Sequence, residues 1–196
     1  RTPPPRRPPV RGPAVMAAYV AKRGVFIVAA KRTPFGAFMG KLSKLTATEL
    51  AVASSAAALA ECGVDPAEVQ EVFFGNVIQS SSDAAYLARH VALKCGVPEA
   101  TAALTINRLC GSGFETTALA GEALELGRAS VALVGGSEAM SRCPLVLDGL
   151  AARAGGAGAA LGAGLKLEDS LWAGLTDAHA GVPMGETAER LPGGHG

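Results

Sequence analysis

A regular exchange of strand-like and helix-like segments between Val25 and Gly136 constrains this chain more than any other feature. Val25–Ala30 is a short run rich in β-formers, ended by the turn Lys31-Arg32-Thr33-Pro34. Thr46–Cys62 is Ala-rich and helical, and Thr46 with Glu49 three residues on makes a capping box. Gly63 closes that helix and Asp65-Pro66 opens a short turn. Val72–Ile78 reads as a second strand interrupted at Gly75-Asn76, and Ala84–Lys94 as a helix closed by Gly96. Ala103–Asn107 is the third strand, Gly113–Leu126 a helix, and Val131–Val134 the fourth strand, ending in Gly135-Gly136. Strands separated by helices at this spacing predict an α/β fold with a mainly parallel sheet.

Beyond Met140 the alternation stops. Ala151–Gly164 is low-complexity and flexible in composition, and Leu167–Leu175 leads to a Pro- and Gly-bearing end. This region reads as an excursion from the sheet. At the other end, residues 1–15 are rich in Pro and Arg without periodicity, so residues 1–23 are expected to be a disordered basic segment. They read either as sequence upstream of Met16 or as a mitochondrial transit segment. They lack acids as such segments do, but also lack their Ser content and amphipathic helix.

Composition narrows the function classes. With 196 residues, 49% hydrophobic and 5% aromatic, the chain can bury one domain core built from small side chains. Ten of the 18 Lys and Arg precede the first acid, Glu49, and all 17 acids follow, so the body is acidic. No basic cluster in that body points to nucleic acid. The longest apolar stretches are strand-length, short of the ~20 residues a membrane span needs. Cys62, Cys95, Cys110 and Cys143 form no CxxC pair and read as thiols of a reducing compartment. Nothing in their spacing, or that of the histidines, predicts a metal site. Gly135-Gly136 lacks the spaced GxGxxG of a dinucleotide site.

The segment Ile106–Phe114 (INRLCGSGF) is the strongest chemical signal. A strand ends, a turn holds Cys110, and Gly111 and Gly113 lead into a helix. Free backbone N–H groups and the helix dipole favour negative charge at such a position. Helix N-termini are among the settings that convert a thiol to its reactive thiolate. The two glycines remove side chains where a bulky acyl thioester would approach. A free cysteine is also commonly a small buried hydrophobe, and local pattern leaves both readings open.

Four separated strings carry a resemblance. Asn107–Gly113 with the preceding Ala103–Ile106 resembles the active-site segment of thiolases. Val28–Gly36 resembles their N-terminal strand and turn, Gly75-Asn76-Val77 their second strand, and Gly135–Ser141 the turn into their loop domain. The strings fall in family order and spacing, and the resemblance covers residues 24–191. Gln79–Asp83, Tyr86–His90 and Lys166–Trp172 are similar to the degradative mitochondrial branch, which cleaves 3-ketoacyl-CoA in fatty-acid β-oxidation. Pro183 before Met184 also departs from the bacterial biosynthetic branch, where His is usual.

The resemblance implies a thiolase-like fold. Residues 24–140 would form an incomplete N-terminal α/β domain with a mixed, mainly parallel sheet. Residues 141–191 would begin the loop domain, and 192–196 would be a tail foreign to the family. The strand that returns from the loop domain and the whole C-terminal half would be absent. Cys110 would be the acyl-thioester nucleophile of a two-step transfer, with CoA and acyl-CoA as substrates and no permanently bound cofactor. Met184 would pack on the pantetheine of CoA, although an ordinary core role fits it equally well. The family's His base, second Cys acid and oxyanion-hole Asn lie in the C-terminal half, so the chain alone is expected to be inactive in thiolysis. A homodimer or homotetramer and a mitochondrial matrix location are expected of the full-length protein.

His90 reads as structural or as a subunit contact, His179 as a surface residue or one near CoA. His195 only superficially resembles the catalytic Gly-His-Pro. Cys62, Cys95 and Cys143 read as structural. Two other functions compete: an acetoacetyl-CoA thiolase or other condensing enzyme, and a non-catalytic fragment that binds full-length thiolase subunits. Lys31–Gly36 and Gly135–Ser141 argue against a ketoacyl synthase.

Overall fold

The computed structural model describes residues 24–150 and 167–190. The expectations for residues 1–23, for Ala151–Gly164 and for His195 lie outside them.

Helix α1 (Ala47–Cys62) begins with the predicted capping box. The Thr46 hydroxyl accepts the Glu49 N–H, and the Glu49 carboxylate accepts the Thr46 N–H in return. It ends at Gly63, whose φ of 67° is the left-handed cap that glycine adopts freely. Strand β1 (Glu71–Gly75) follows, then helix α2 (Leu87–Lys94), β2 (Ala102–Ile106), α3 (Ser112–Glu125) and β3 (Ala132–Gly136). The expected second strand is thus shorter, because the chain leaves the ladder at Gly75-Asn76. The first turn of the expected Ala84–Lys94 helix is a tighter 3₁₀ turn, Ala84–Tyr86.

All three strands run parallel in the order β2-β1-β3, with β1 central. Val72 and Phe74 face the core formed with Ala47, Ala51, Leu87, Val91 and Leu133. Phe73, pointing the opposite way, is also buried, as are Thr116, Ala120 and Ala123 of α3, which packs on β1 and β3. Helices therefore cover both faces, as a parallel sheet requires.

One predicted element is corrected. Val25–Ala30 has no regular secondary structure and pairs with no strand among the described residues, and Phe26 and Ile27 are 80% and 81% exposed. The segment and β3 both line a groove of about 800 Å³. Its lining includes Val28, Phe35, Val134 of β3, Ala58 of α1 and Gly121 of α3. With no ladder partner, β-propensity alone does not make a strand.

After β3 the chain forms the antiparallel pair β4 (Leu145–Leu147) and β5 (Leu167–Asp169). Next come the short helix α4 (Ser170–Gly174), the two-residue pair β6 (Thr176–Asp177) and β7 (Val182–Pro183), and helix α5 (Met184–Glu189). No helix among the described residues is long and apolar enough to cross a membrane.

Candidate active site

Cys110 is exposed, between the end of β2 and the start of α3, one residue before the cap Gly111. The turn that presents it is built by side chains on both flanks. Asn107 accepts the Leu109 N–H at 2.9 Å. The Ser112 hydroxyl, buried under the first turn of α3, accepts the Arg108 N–H at 2.9 Å and donates to the Leu109 carbonyl at 2.7 Å. Leu109 adopts a φ of 49°, a left-handed conformation costly for a branched side chain. Outside, the Arg108 guanidinium pairs with Glu115 on α3.

The thiol therefore stands at a helix start, as the sequence predicts. The Gly111 and Ser112 N–H groups are engaged by the Arg108 and Leu109 carbonyls. The Gly113 and Phe114 N–H groups meet no acceptor among the described residues. The buried reading of Cys110 fails. A Cβ at Gly113 would meet nothing within 4 Å, so this glycine faces open space.

The closeness that does require glycine is at Gly75. A Cβ on Gly75 would lie 2.6 Å from the Ser112 Cβ, so glycine at the end of β1 lets α3 sit on the sheet. Thr116 ties the same helix down, donating to the Gly113 carbonyl at 2.7 Å and lying 3.2 Å from the Gly135 carbonyl.

The other predicted residues stand apart from this turn. Met184 is 41% exposed at the start of α5, where its N–H donates to the Leu175 carbonyl at 2.9 Å. His90 stacks on Tyr86 and lies 3.4 Å from Asp83, with no bond to the Cys110 turn. The Ser81 hydroxyl, 2.6 Å from Asp83, is the main influence holding that carboxyl below its ordinary range. The His179 N–H donates to Asp177 in a surface turn. Burial pushes the Cys95 and Cys143 thiols up, which suits structural roles. Cys110 is not among the residues that line the large groove beside β3. The Cys110 thiol and this groove therefore lie in different places. Among the described residues, no three His, Cys, Asp or Glu side chains come together as a metal site.

Sequence reading missed three contributors. Asn107 and Ser112 had a weak signal, since both types bond readily to nearby backbone. Glu138 had none. Its carboxylate accepts N–H groups from Val77 at 2.9 Å, Ile78 at 3.3 Å and the Asn76 amide at 3.1 Å. Burial raises its pKa, against the pull of those bonds.

Comparison with known proteins agrees with this architecture. Residues 25–196 match the family "Thiolase, N-terminal domain". The chain is 54% identical over 169 residues to the mitochondrial 3-ketoacyl-CoA thiolase of Rattus norvegicus, covering 86% of this chain and 41% of that protein. It is 40% identical over 170 residues to acetyl-CoA acetyltransferase 2 of Arabidopsis thaliana, covering 87% and 41%. The crystal structure of human mitochondrial 3-ketoacyl-CoA thiolase in complex with CoA superposes with a TM-score of 0.80 at 52% identity, covering 85% and 41%. The chain thus spans about two fifths of the length of these relatives. A parallel sheet under two helical layers, a cysteine at the start of α3 and agreement along nearly the whole described chain have one common account: this chain belongs to the thiolase family, within its N-terminal domain.

Proposed function

We propose that this chain carries the acyl-accepting cysteine of a thiolase that cleaves 3-ketoacyl-CoA in mitochondrial fatty-acid β-oxidation. The observation that carries the reading is the exposed Cys110 thiol, fixed one residue ahead of the α3 cap. Its sulfur forms a bond to the keto carbon, and the bond between that carbon and the next breaks. The electron pair departs with acetyl-CoA, which takes up a proton. A second CoA thiol then attacks the acyl-enzyme, forming the shortened acyl-CoA and releasing Cys110. N–H groups of the turn are suited to hold the developing oxyanion. The base, the acid and a further oxyanion donor belong to the portion of the relatives that these residues do not span. Met184 is assigned to contact CoA, residues 141–191 to the beginning of a loop domain, and the full-length protein to a homodimer or homotetramer in the mitochondrial matrix.

Incubation with radiolabelled acetyl-CoA tests this directly. Label is expected on the Cys110 peptide and absent from a Cys110→Ala variant, without sustained thiolysis by the chain alone. Absence of label, or label that persists in the variant, would sink the assignment.

The open groove beside β3 favours a second reading, in which the chain binds full-length thiolase subunits without turnover. Co-purification with a full-length thiolase supports it, and sustained thiolysis by the chain alone contradicts it.

A further inference from the structure

Glu138 lies on the loop that leaves β3, yet its bonds go to the loop that leaves β1. Three donors converge on one half-buried carboxylate: the Val77 and Ile78 N–H groups and the Asn76 side-chain amide. A carboxylate accepts at both oxygens and donates at neither, so it is the side chain that suits three converging donors. The Asn76 amide also donates to the Ser137 carbonyl at 2.9 Å, tying the two loops together a second time. The segment after β1 is thereby fixed although it has left the ladder.

The fixed segment continues toward the thiol. The Val77 carbonyl accepts from the Asn107 side-chain amide at 3.2 Å, and the oxygen of that same amide accepts the Leu109 N–H at 2.9 Å. Leu109 is the left-handed residue immediately before Cys110. A strained conformation persists only where its surroundings over-determine it. Ser112 holds Leu109 from the helix side, and the chain of bonds from Glu138 holds it from the sheet side.

We infer that Glu138 is a positioning residue for Cys110, acting through the Val77 peptide and Asn107 to fix Leu109 and so the direction of the adjacent thiol. The inference rests on Cys110 being the reactive group. Glu138 touches neither the thiol nor the reacting atoms in this role.

The test is site-resolved alkylation of the intact chain by iodoacetamide, read by mass spectrometry as the Cys110 rate relative to Cys62. Cys62 lies on α1 and is a sound internal reference, whereas Cys143 feels the Glu138 charge. Glu138→Gln places an amide N–H among three donors. Asn107→Asp keeps the acceptor for Leu109 but loses the donor to Val77, at an exposed position that does not threaten folding, and reading the ratio in about 1 M salt screens its added charge. Each variant is expected to lower the Cys110-to-Cys62 ratio about fivefold, as loss of a hydrogen bond worth about 1 kcal/mol implies. The double variant should fall no further than the larger single effect. Equal changes at both cysteines in Glu138→Gln, an unchanged ratio in Asn107→Asp, or additive losses would overturn the inference. If Glu138→Gln does not fold, Asn107→Asp decides alone. Iodoacetamide needs no acyl-CoA, so failure of acetyl labelling and failure of positioning are separately visible.

Discussion

Glu71–Gly75 and Val25–Ala30 both have the composition of strands, and of this pair only the first is a strand. Glu71–Gly75 has a partner on each side, and Phe74 is 2% exposed. Val25–Ala30 is at least as rich in β-formers, yet it is unpaired among the described residues, with Phe26 at 80% exposure. The difference lies in what surrounds them. β1 gains two ladders and two covering helical layers, while the N-terminal segment borders a groove and gains neither. A strand belongs to a sheet before it belongs to a sequence.

The largest test of this contrast is a pair of truncations. Phe74→Ala should cost about 3–5 kcal/mol, the usual range for a fully buried aromatic. Phe26→Ala should stay within about 0.5 kcal/mol, as for exposed positions. Urea denaturation measures both, and comparable losses would break the comparison. Amide hydrogen exchange sharpens it further: Val72–Phe74 should exchange only through near-global opening, and Val25–Ala30 at nearly the unprotected rate. Strong protection at Val28 would mean that a partner strand covers the segment in solution.

A middling effect is expected at the helix that follows the unpaired segment. Thr46→Ala removes the reciprocal cap of α1 and should cost about 1 kcal/mol in the same denaturation experiment. A negligible cost would mean that α1 is held by packing on α2 and β3 alone.

The smallest effect concerns the carboxylates that follow β1 and β3. Asp83 is held below its ordinary range by the Ser81 hydroxyl, so its stabilisation is present above the unfolded-state value, about pH 4, and is lost as pH falls through the folded-state value. Glu138 is raised by burial, so its contribution runs the other way: full below about pH 4 and diminishing as pH rises through its elevated value. Melting temperature followed from acid to neutral pH should lose part of its acid-side fall in Asp83→Asn. An unchanged acid-side slope would show that Asp83 does not contribute.

What was legible in the sequence follows the same division. Local signals survived folding: the Thr46–Glu49 capping box, the Gly63 stop, and the thiol at the start of a helix. Each depends on residues within a few positions. The alternation of strand and helix also foretold that β1, β2 and β3 pair parallel, though not their order. What could not be read depends on distant partners. Glu138 reaches Asn76 across 62 positions, and nothing near Glu138 foreshadows three donors arriving from another loop. The unpaired state of Val25–Ala30 was equally hidden, because the groove that isolates it is made by β3, α1 and α3 together.

Gly75 ties these scales together in terms of mutational tolerance. It bears no side chain and sits 35 positions before the thiol in sequence (Gly75 to Cys110). Yet the atom that a methyl group there would strike belongs to Ser112, whose hydroxyl shapes the turn presenting Cys110. In a saturation scan, Gly75 should therefore reject every substitution, small ones included, while Gly113, close to the thiol but facing open space, accepts alanine. Proximity to the Cys110 thiol would then be a poor guide to which glycine this chain cannot spare.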